Sequence, residues 1–415
     1  MLLTLLLACG PRPPMAPPAP EATAVPTLPK RWEGPALIAD LRLVAVGDVL
    51  MHTNVKNSAK AANEDPQKGL EALFEYIEPT ISGADIAFAN LETPVAPDHH
   101  KGTRSMVFNA PPELLPALSA VGFDVLSFAN NHVYDQGRDG FQETMERLDS
   151  SGMTWIGGGD TCEAARAPKM VEQEGIKVAF IGASKVFNDN MNRGEDEACA
   201  FELDVSQALA SAELARQDGA DVVIVSVHWG REYRTHPEQA EMDDARALIA
   251  GGVDLVIGHH PHVVQPIEVI PREDGSVGVI AYSLGNFISN QRYDYVHGVQ
   301  PLEHGNPRDG LALQVDIVKK DYGPAPDGSP QVRVELANVM GIPLWTDNDA
   351  GRIVHPTPTI RVVRTDSALT SASEALLSAT TAEEDLAAKK RIALLEDRWD
   401  QVEEIVGEGL MPPHP

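Results

Sequence analysis

A chain of 415 residues, 43% of them hydrophobic, has apolar mass for one large core or two smaller ones. Its formal net charge is −28, from 61 Asp and Glu against 33 Lys and Arg, and no basic run interrupts the acidity. Coulombic repulsion therefore excludes nucleic acid as a partner class, and an anionic substrate would need a local cluster of cations to approach.

The first residues, MLLTLLLACG, form an apolar run too short to span a bilayer. Residues 1–9 have the form of a lipoprotein-type signal with Cys9 as the acylated residue, although the basic first segment and the usual length of a signal are missing. Residues 10–35 are rich in Pro and Ala, a composition that disfavours a packed core and favours extended polyproline conformation, as a tether does. Together these predict an exported protein, lipid-anchored to a membrane and facing the periplasm or the cell exterior. If Cys9 carries lipid, Cys162 and Cys199 remain, and in an oxidising compartment they either pair or stay as buried thiols.

From residue 36 to 365, short runs of Val, Ile and Leu alternate with segments of helical period, which predicts an α/β domain. Strands are expected at 41–47, 85–91, 124–129, 176–183, 221–227 and 253–258, with crossover helices at 68–78, 112–121, 138–151, 205–217 and 238–250. Beyond these, 263–270, 277–284, 311–318 and 332–340 follow one another with no helical pattern between them, which predicts a second, mostly antiparallel sheet. Residues 366–415 change character. Apolar positions such as Ala375, Leu376, Leu386, Ile392, Leu395, Trp399, Val402 and Ile405 suit a helix or helix pair, packed on the domain as an appendage or presented to a partner.

Metal-ligand side chains recur where the apolar runs end. In LVAVGDVLMH the strand stops at Gly47, leaving Asp48 at its C-terminal end and His52 four residues on. DIAFANLETPV delivers Asn90 and Glu92 in the same way. DVLSFANNHVYDQG offers the Asn131 amide oxygen to a hard cation, with His132 beside it and Asp135 near enough to orient that imidazole. In VVIVSVHWGREY, His228 ends a β-branched run, and Glu232 and Tyr233 stand ready to support it. DLVIGHHPHVV places three His within four residues of a strand end, and the HxH spacing lets His260 and His262 reach two neighbouring metals.

Taken singly, Glu92 reads as a surface carboxylate, the Asn pair as a turn and His228 as a core histidine. Five such motifs, spread from Asp48 to His262, predict a metal centre because a fold that gathers strand ends at one edge brings them together. In AYSLGNFI, Tyr282, Ser283, Asn286 and Phe287 either line the pocket or only turn the chain at Gly285, and Lys185 either faces an anionic substrate or is a solvated rim lysine.

The order Asp48, Glu92, Asn131-His132, His228, His260-x-His262 resembles the calcineurin-like metallophosphoesterase pattern. The wording GDVLMH, NLETPV, FNAPPEL, ANNHVYDQG, SVHWGREY, GHHPHVVQ and YSLGNF resembles the bacterial CapA family, associated with poly-γ-glutamate capsule synthesis, over residues 40–290. The resemblance implies a four-layer α/β/β/α sandwich with two divalent metal ions (Mn, Fe or Zn) at one edge. Asp48 and His262 would hold the first, Glu92 would bridge, and Asn131, His228 and His260 would hold the second, with His132 donating a proton or stabilising charge. Asn90, Glu232, Tyr233 and Asn286 would contact substrate. Two positions depart from the pattern: Leu50 stands where a His is usual, leaving His52 as the nearest, and Glu92 stands where the bridging residue is usually Asp.

The implied activity is metal-dependent hydrolysis or transfer on an anionic polymer or phosphoester, alongside membrane capsule synthase subunits. Phosphoester hydrolysis comes first and γ-glutamyl amide chemistry second. The alternative is a non-catalytic accessory or polymer-binding subunit whose metals are structural.

Overall fold

Apolar alternation in the strands sets the architecture. In β1 (Ala36–Val49), Leu41, Leu43 and Ala45 belong to one buried cluster and Val44 and Val46 to another, so the strand must be covered on both faces. The computed structural model describes residues 35–101, 106–325, 327–349 and 357–414, and Cys9 with the expected signal and nearly all of the tether lies outside them.

After β1 come α1 (Thr53–Ala62), α2 (Pro66–Glu71), α3 (Glu78–Ile81), β2 (Ile86–Leu91), α4 (Leu114–Val121), β3 (Val125–Ser127), α5 (Gly137–Ser150) and β4 (Thr154–Ile156). Strands β1 to β4 lie side by side and parallel. The next section contains β5 (Gly158–Gly159), α6 (Cys162–Arg166), β6 (Lys169–Gln173), β7 (Ile176–Ser184), β8 (Cys199–Ala200), α7 (Val205–Gln217), β9 (Val222–His228), α8 (Gln239–Ala250), β10 (Leu255–His259), β11 (Ile267–Pro271) and β12 (Val277–Ala281). It builds a second sheet, ordered β11-β12-β10-β9-β7-β6, parallel inside and antiparallel at both edges. The chain then returns to the first sheet through β13 (Asn286–Ile288), β14 (Asp309–Pro324), β15 (Pro330–Asn348) and β16 (Ile360–Arg364), and ends in α9 (Thr365–Ser378) and α10 (Ala382–Val406). The first sheet runs β16-β15-β14-β1-β2-β3-β4, with β13 paired to β1.

Three apolar clusters show the layering. Between the sheets, Leu43 and Phe88 meet Phe180, Ile224 and Ile257, and the Phe88 and Phe180 rings stack at 6.2 Å. Outside the first sheet, Val46, Ala87 and Leu126 pack under Leu118, Phe141 and Leu148 of the helices. Outside the second, Ile181, Val225 and Val256 pack under Ala208, Ala212 and Leu248. This is the α/β/β/α sandwich. Leu395, Trp399 and Val402 of α10 join Trp345 of β15 in the inter-sheet cluster, so the C-terminal helix pair closes one end of the core. A capping box at Thr381 and Glu384 restarts the helix after Ala379 and accounts for a pair in place of one rod.

The four consecutive strands expected to form a separate antiparallel sheet are divided between the two sheets. β12 is nearly all buried and pairs parallel with β10 inside the sandwich. β14 and β15 are buried over the stretch where Asp309–Leu313 pairs with Gly341–Trp345, are largely half-exposed toward their connecting turn, and extend the first sheet from β1. The helix expected at 68–78 is broken, with a turn between α2 and α3. Cys162 and Cys199 are joined by a disulfide, with 4.9 Å between their Cα atoms.

Arg398 of α10 is fully buried. Its Nε bonds Asp309 Oδ1 at 3.0 Å, a second guanidinium nitrogen reaches Asp309 Oδ2, and the remaining donors reach Leu302 O at 2.6 Å and Asn306 Oδ1 at 2.8 Å. Burial pushes the Asp309 carboxyl up to about 6 against the opposing charge of Arg398. Arg398→Ala should cost about 3–5 kcal/mol in urea unfolding, because the partner carboxylate stays buried and uncompensated, whereas Arg398→Met with Asp309→Leu should recover most of that loss.

Candidate metal centre

The C-terminal ends of β1, β2 and β3 from one sheet meet those of β9 and β10 from the other. Close backbone approach makes the meeting possible: a Cβ on Gly47 would lie 1.8 Å from Gly285 O, and one on Gly258 would lie 1.9 Å from Tyr282 O. With Gly47 in place, Asp48 N donates to Gly285 O at 3.0 Å. After β10 the backbone turns left-handed at His260 (φ 97°) and His262 (φ 59°), at a cost on the order of 1–2 kcal/mol per residue. Asn286 pins this loop, its Nδ2 donating to His262 O at 3.3 Å and Pro307 O at 2.7 Å.

Glu92 is at the centre. It is wholly buried, and its Oε1 lies 3.6 Å from His228 Nε2, 3.8 Å from His262 Nε2 and 3.9 Å from His132 Nε2. Among the described residues neither carboxylate oxygen has a hydrogen-bond partner, nor do His132 Nε2, His260 Nδ1 and His262 Nε2. Two donor groups form around it, Asp48 with Glu92 and His262, and Glu92 with His228 and His260, each with its ligand atoms within 4.8 Å of one another. Asn131 Oδ1 lies 2.9 Å from His228 Nε2, beside the second group.

The electrostatics are those of a cation site. Burial, with the Asp48 charge added, pushes the Glu92 carboxyl well above the usual carboxylate range. Burial also works against Asp48, but the imidazoles beside it, His259 at 3.5 Å and His262 hydrogen-bonded at 3.1 Å, outweigh it and hold that carboxyl well below its usual range. Burial, with neighbouring imidazoles, keeps His228 neutral and brings His260 down to about 3. Neutral imidazoles, buried carboxylates and unpartnered lone pairs fit one or two divalent ions, whose charge would relieve the burial of Glu92.

His132 stands beside this cluster with Nδ1 2.8 Å from Asp135 Oδ2, which also accepts the Phe108 N–H at 2.6 Å, so the imidazole is held in place. Asn90 is buried, donates to Asp48 Oδ1 at 2.8 Å and lies 3.4 Å from His228 Nδ1, so it touches two candidate ligand residues. His52 enters neither donor group. Its Nδ1 accepts the Asn290 N–H at 3.3 Å, its ring edges Phe108 at 4.9 Å, and burial with the neighbouring His262 brings it down to about 4.

Glu232 and Tyr233 lie at the rim. The Glu232 charge reaches Glu92, and the Tyr233 ring is 6.1 Å from that of His262, with burial and Glu232 raising its hydroxyl to about 12. Lys185 pairs with Asp244. Tyr282 donates to Glu268 at 2.8 Å, Ser283 Oγ accepts the Gly285 N–H at 3.2 Å, and Phe287 packs on Phe74 at 5.4 Å, so these three side chains serve the scaffold.

Three residues of the site carry no assignment from motif reading. His259 is fully buried, stacks on Phe88 and lies 3.5 Å from Asp48 Oδ1; it continues the inward stripe Leu255, Ile257, a signal visible as strand alternation. Asn130 braces the loop by donating to Leu91 O at 2.8 Å and accepting the His132 N–H at 3.1 Å. Asn188 donates its N–H to Asn131 O at 3.1 Å from a segment with no motif of its own.

Residues 42–291 match the family described as bacterial capsule synthesis protein PGA_cap. The chain is 26% identical over 298 residues to the capsule biosynthesis protein CapA of Bacillus anthracis, covering 70% of this chain and 69% of that one. It is 30% identical over 249 residues to the PGA biosynthesis protein CapA of Bacillus subtilis, covering 59% and 62%. It is 29% identical over 199 residues to a probable polyglutamine synthesis accessory protein of Mycobacterium tuberculosis, covering 45% and 52%, so the matches span about half to two-thirds of these relatives. Among solved structures it is similar to the NAD nucleotidase of Haemophilus influenzae, with a TM-score of 0.39 and 12% identity over 87% of this chain and 60% of that one. A putative 5′-nucleotidase of Staphylococcus aureus gives a TM-score of 0.35 at 12% identity over 72% and 54%, and likeness at these scores carries no argument.

Because both donor groups share Glu92, Mn²⁺ at a hundredfold over its Kd should stabilise the protein by about 2.7 kcal/mol per site in thermal unfolding. Glu92→Gln should lose most of that shift, and EDTA should reverse it.

Proposed function

Since the chain belongs to the bacterial capsule synthesis protein family PGA_cap, we propose that it acts in making, exporting or anchoring an anionic capsule polymer of the poly-γ-glutamate type, as a metal-dependent phosphoester hydrolase at the cell envelope. The observation that carries the chemistry is Glu92, a buried carboxylate that among the described residues has no hydrogen-bond partner and is shared by two donor groups.

Asp48, Glu92 and His262 would hold one divalent ion and Glu92, Asn131, His228 and His260 the other. Such a pair supplies Lewis-acid polarisation of a phosphoryl group and activates water near neutral pH. The protein supplies the remainder. Asp135 fixes His132 through Nδ1, which leaves Nε2 facing the cluster to give or take a proton at the reacting group. Asn90 keeps Asp48 and His228 in register, and Asn286 holds the loop of His262. Glu232 and Tyr233 contact the substrate at the rim. Cys9 would carry the lipid, placing the domain outside the membrane near synthase subunits; among the described residues no helix is long and apolar enough to cross a bilayer.

A second reading, an accessory polymer-binding subunit with structural metals, is favoured by the burial of the ligand residues, none of which is more than 5% exposed. Closed ligation is what a structural site needs.

Elemental analysis together with Mn-dependent hydrolysis of bis(p-nitrophenyl) phosphate separates the two. About two metals per chain is the expectation of the two-metal reading. His132→Ala should keep the metals and lose about 10²–10⁴-fold in turnover, while His260→Ala should lose both. Metal without turnover would favour the accessory role or γ-glutamyl chemistry, and protein without metal would remove the site. In cells, globomycin should block processing at Cys9; an unchanged product would end the lipoprotein reading.

A further inference from the structure

Two loops meet at the rim of the metal centre. Tyr233 lies in the turn after β9, tied by its N–H to Pro261 O at 2.8 Å. Arg292 lies after β13, and its guanidinium is 5.6 Å from the centre of the Tyr233 ring, which in turn is 6.1 Å from that of His262. Both backbones are left-handed, with φ 62° at Tyr233 and 49° at Arg292. Among the described residues seven non-glycine positions have positive φ, and four of them, Tyr233, His260, His262 and Arg292, belong to this site. Two are ligand residues buried in the cluster. The other two are exposed, so core packing does not explain why a strained backbone holds them there.

Charge indicates what they are for. With 61 acidic residues against 33 basic ones, arginines on this chain readily find carboxylates, as Arg42 finds Asp316, Arg138 finds Glu197, Arg246 finds Glu268 and Arg391 finds Asp347. Arg292 does not: among the described residues no carboxylate lies within ion-pair distance of it, and its contact is the face of Tyr233. A guanidinium lying over a ring keeps its edge N–H groups free, and that edge is the fork that binds a carboxylate or phosphate through two hydrogen bonds. Arg231 and Arg234, in the same turn as Tyr233, add positive charge beside it.

We infer that Arg292, backed by Tyr233, is an anchoring subsite for a second anionic group of the substrate, with the Tyr233 ring between it and His262 of the proposed metal centre. The substrate class is then a chain bearing repeated oxyanions, carboxylate or phosphate, and not a small monoanion. The inference extends the proposed function by naming what lies beside the reacting group, but the subsite is a binding site and can be tested without turnover.

The test uses the full chain loaded with Mn²⁺ and the fluorescence anisotropy of a labelled γ-glutamate decamer, with tripolyphosphate as competitor. Arg292→Gly removes the guanidinium and leaves a residue at ease with positive φ, and Arg292→Lys keeps the charge without the fork. Arg292→Gly should weaken decamer binding at least tenfold, with metal content and melting temperature as in the parent protein, and Arg292→Lys should recover part of the loss. Displacement by tripolyphosphate would extend the subsite to phosphate; no displacement would assign it to carboxylate. The inference is overturned if Arg292→Gly binds the decamer as tightly as the parent, if the parent binds neither polyanion, or if an uncharged γ-glutamine decamer binds equally well. Absent phosphodiesterase activity with Arg292-dependent decamer binding would count against the hydrolase reading and leave the subsite standing.

Discussion

A carboxylate enclosed without a hydrogen-bond donor is tolerated only when positive charge accompanies it or when it gives up its own charge. Glu92 imposes that condition on the whole edge where the two sheets meet. Around it the His228 and His260 imidazoles are held neutral by burial, Asp48 is held ionised by His259 and His262, and the amides of Asn90 and Asn131 are turned toward other candidate ligand residues. Among the described residues no Lys or Arg forms an ion pair with Glu92. Under the proposed function that position falls to divalent ions from solution, and the stability of this edge would then follow metal supply.

The scaffold serves the same end by different means on its two sides. On the first sheet, bare backbone at Gly47 lets Asp48 sit against Gly285. On the second, left-handed turns at His260 and His262 bring two imidazoles from one short loop toward opposite donor groups. Between the two histidines of the HxH spacing, Pro261 accepts the Tyr233 N–H through its carbonyl, tying this loop to the rim.

Much of this was legible in the order of residues. Strand-end carboxylates, the Asn-His pair and the histidine loop announced the cluster of donor side chains because each follows a buried apolar run, and alternation in those runs announced the layers. Where the reading fell short, long-range pairing decided. β14 and β15 read locally as antiparallel strands and are so, but which sheet they join depends on β1, far away in sequence. His52 reads as the nearest available histidine in its motif, yet Phe108 and Asn290 from distant segments settle its surroundings. Asn188 and Arg292 have no motif at all, since their meaning lies only in what they face.

One feature of the topology governs how the protein comes into being. β1, the first described strand, sits in the middle of the first sheet, with Leu43 opposite Ile86 on one side and Val315 on the other. The core beside it is closed by Trp399 of the last helix. Half of the hydrogen bonds of the opening strand therefore wait for a partner synthesised hundreds of residues later, and the last helix must emerge before the sandwich can seal. The first sheet thus closes around β1 through contacts of high sequence separation, which carry a larger loop-closure cost than local pairings and slow the assembly of such a core.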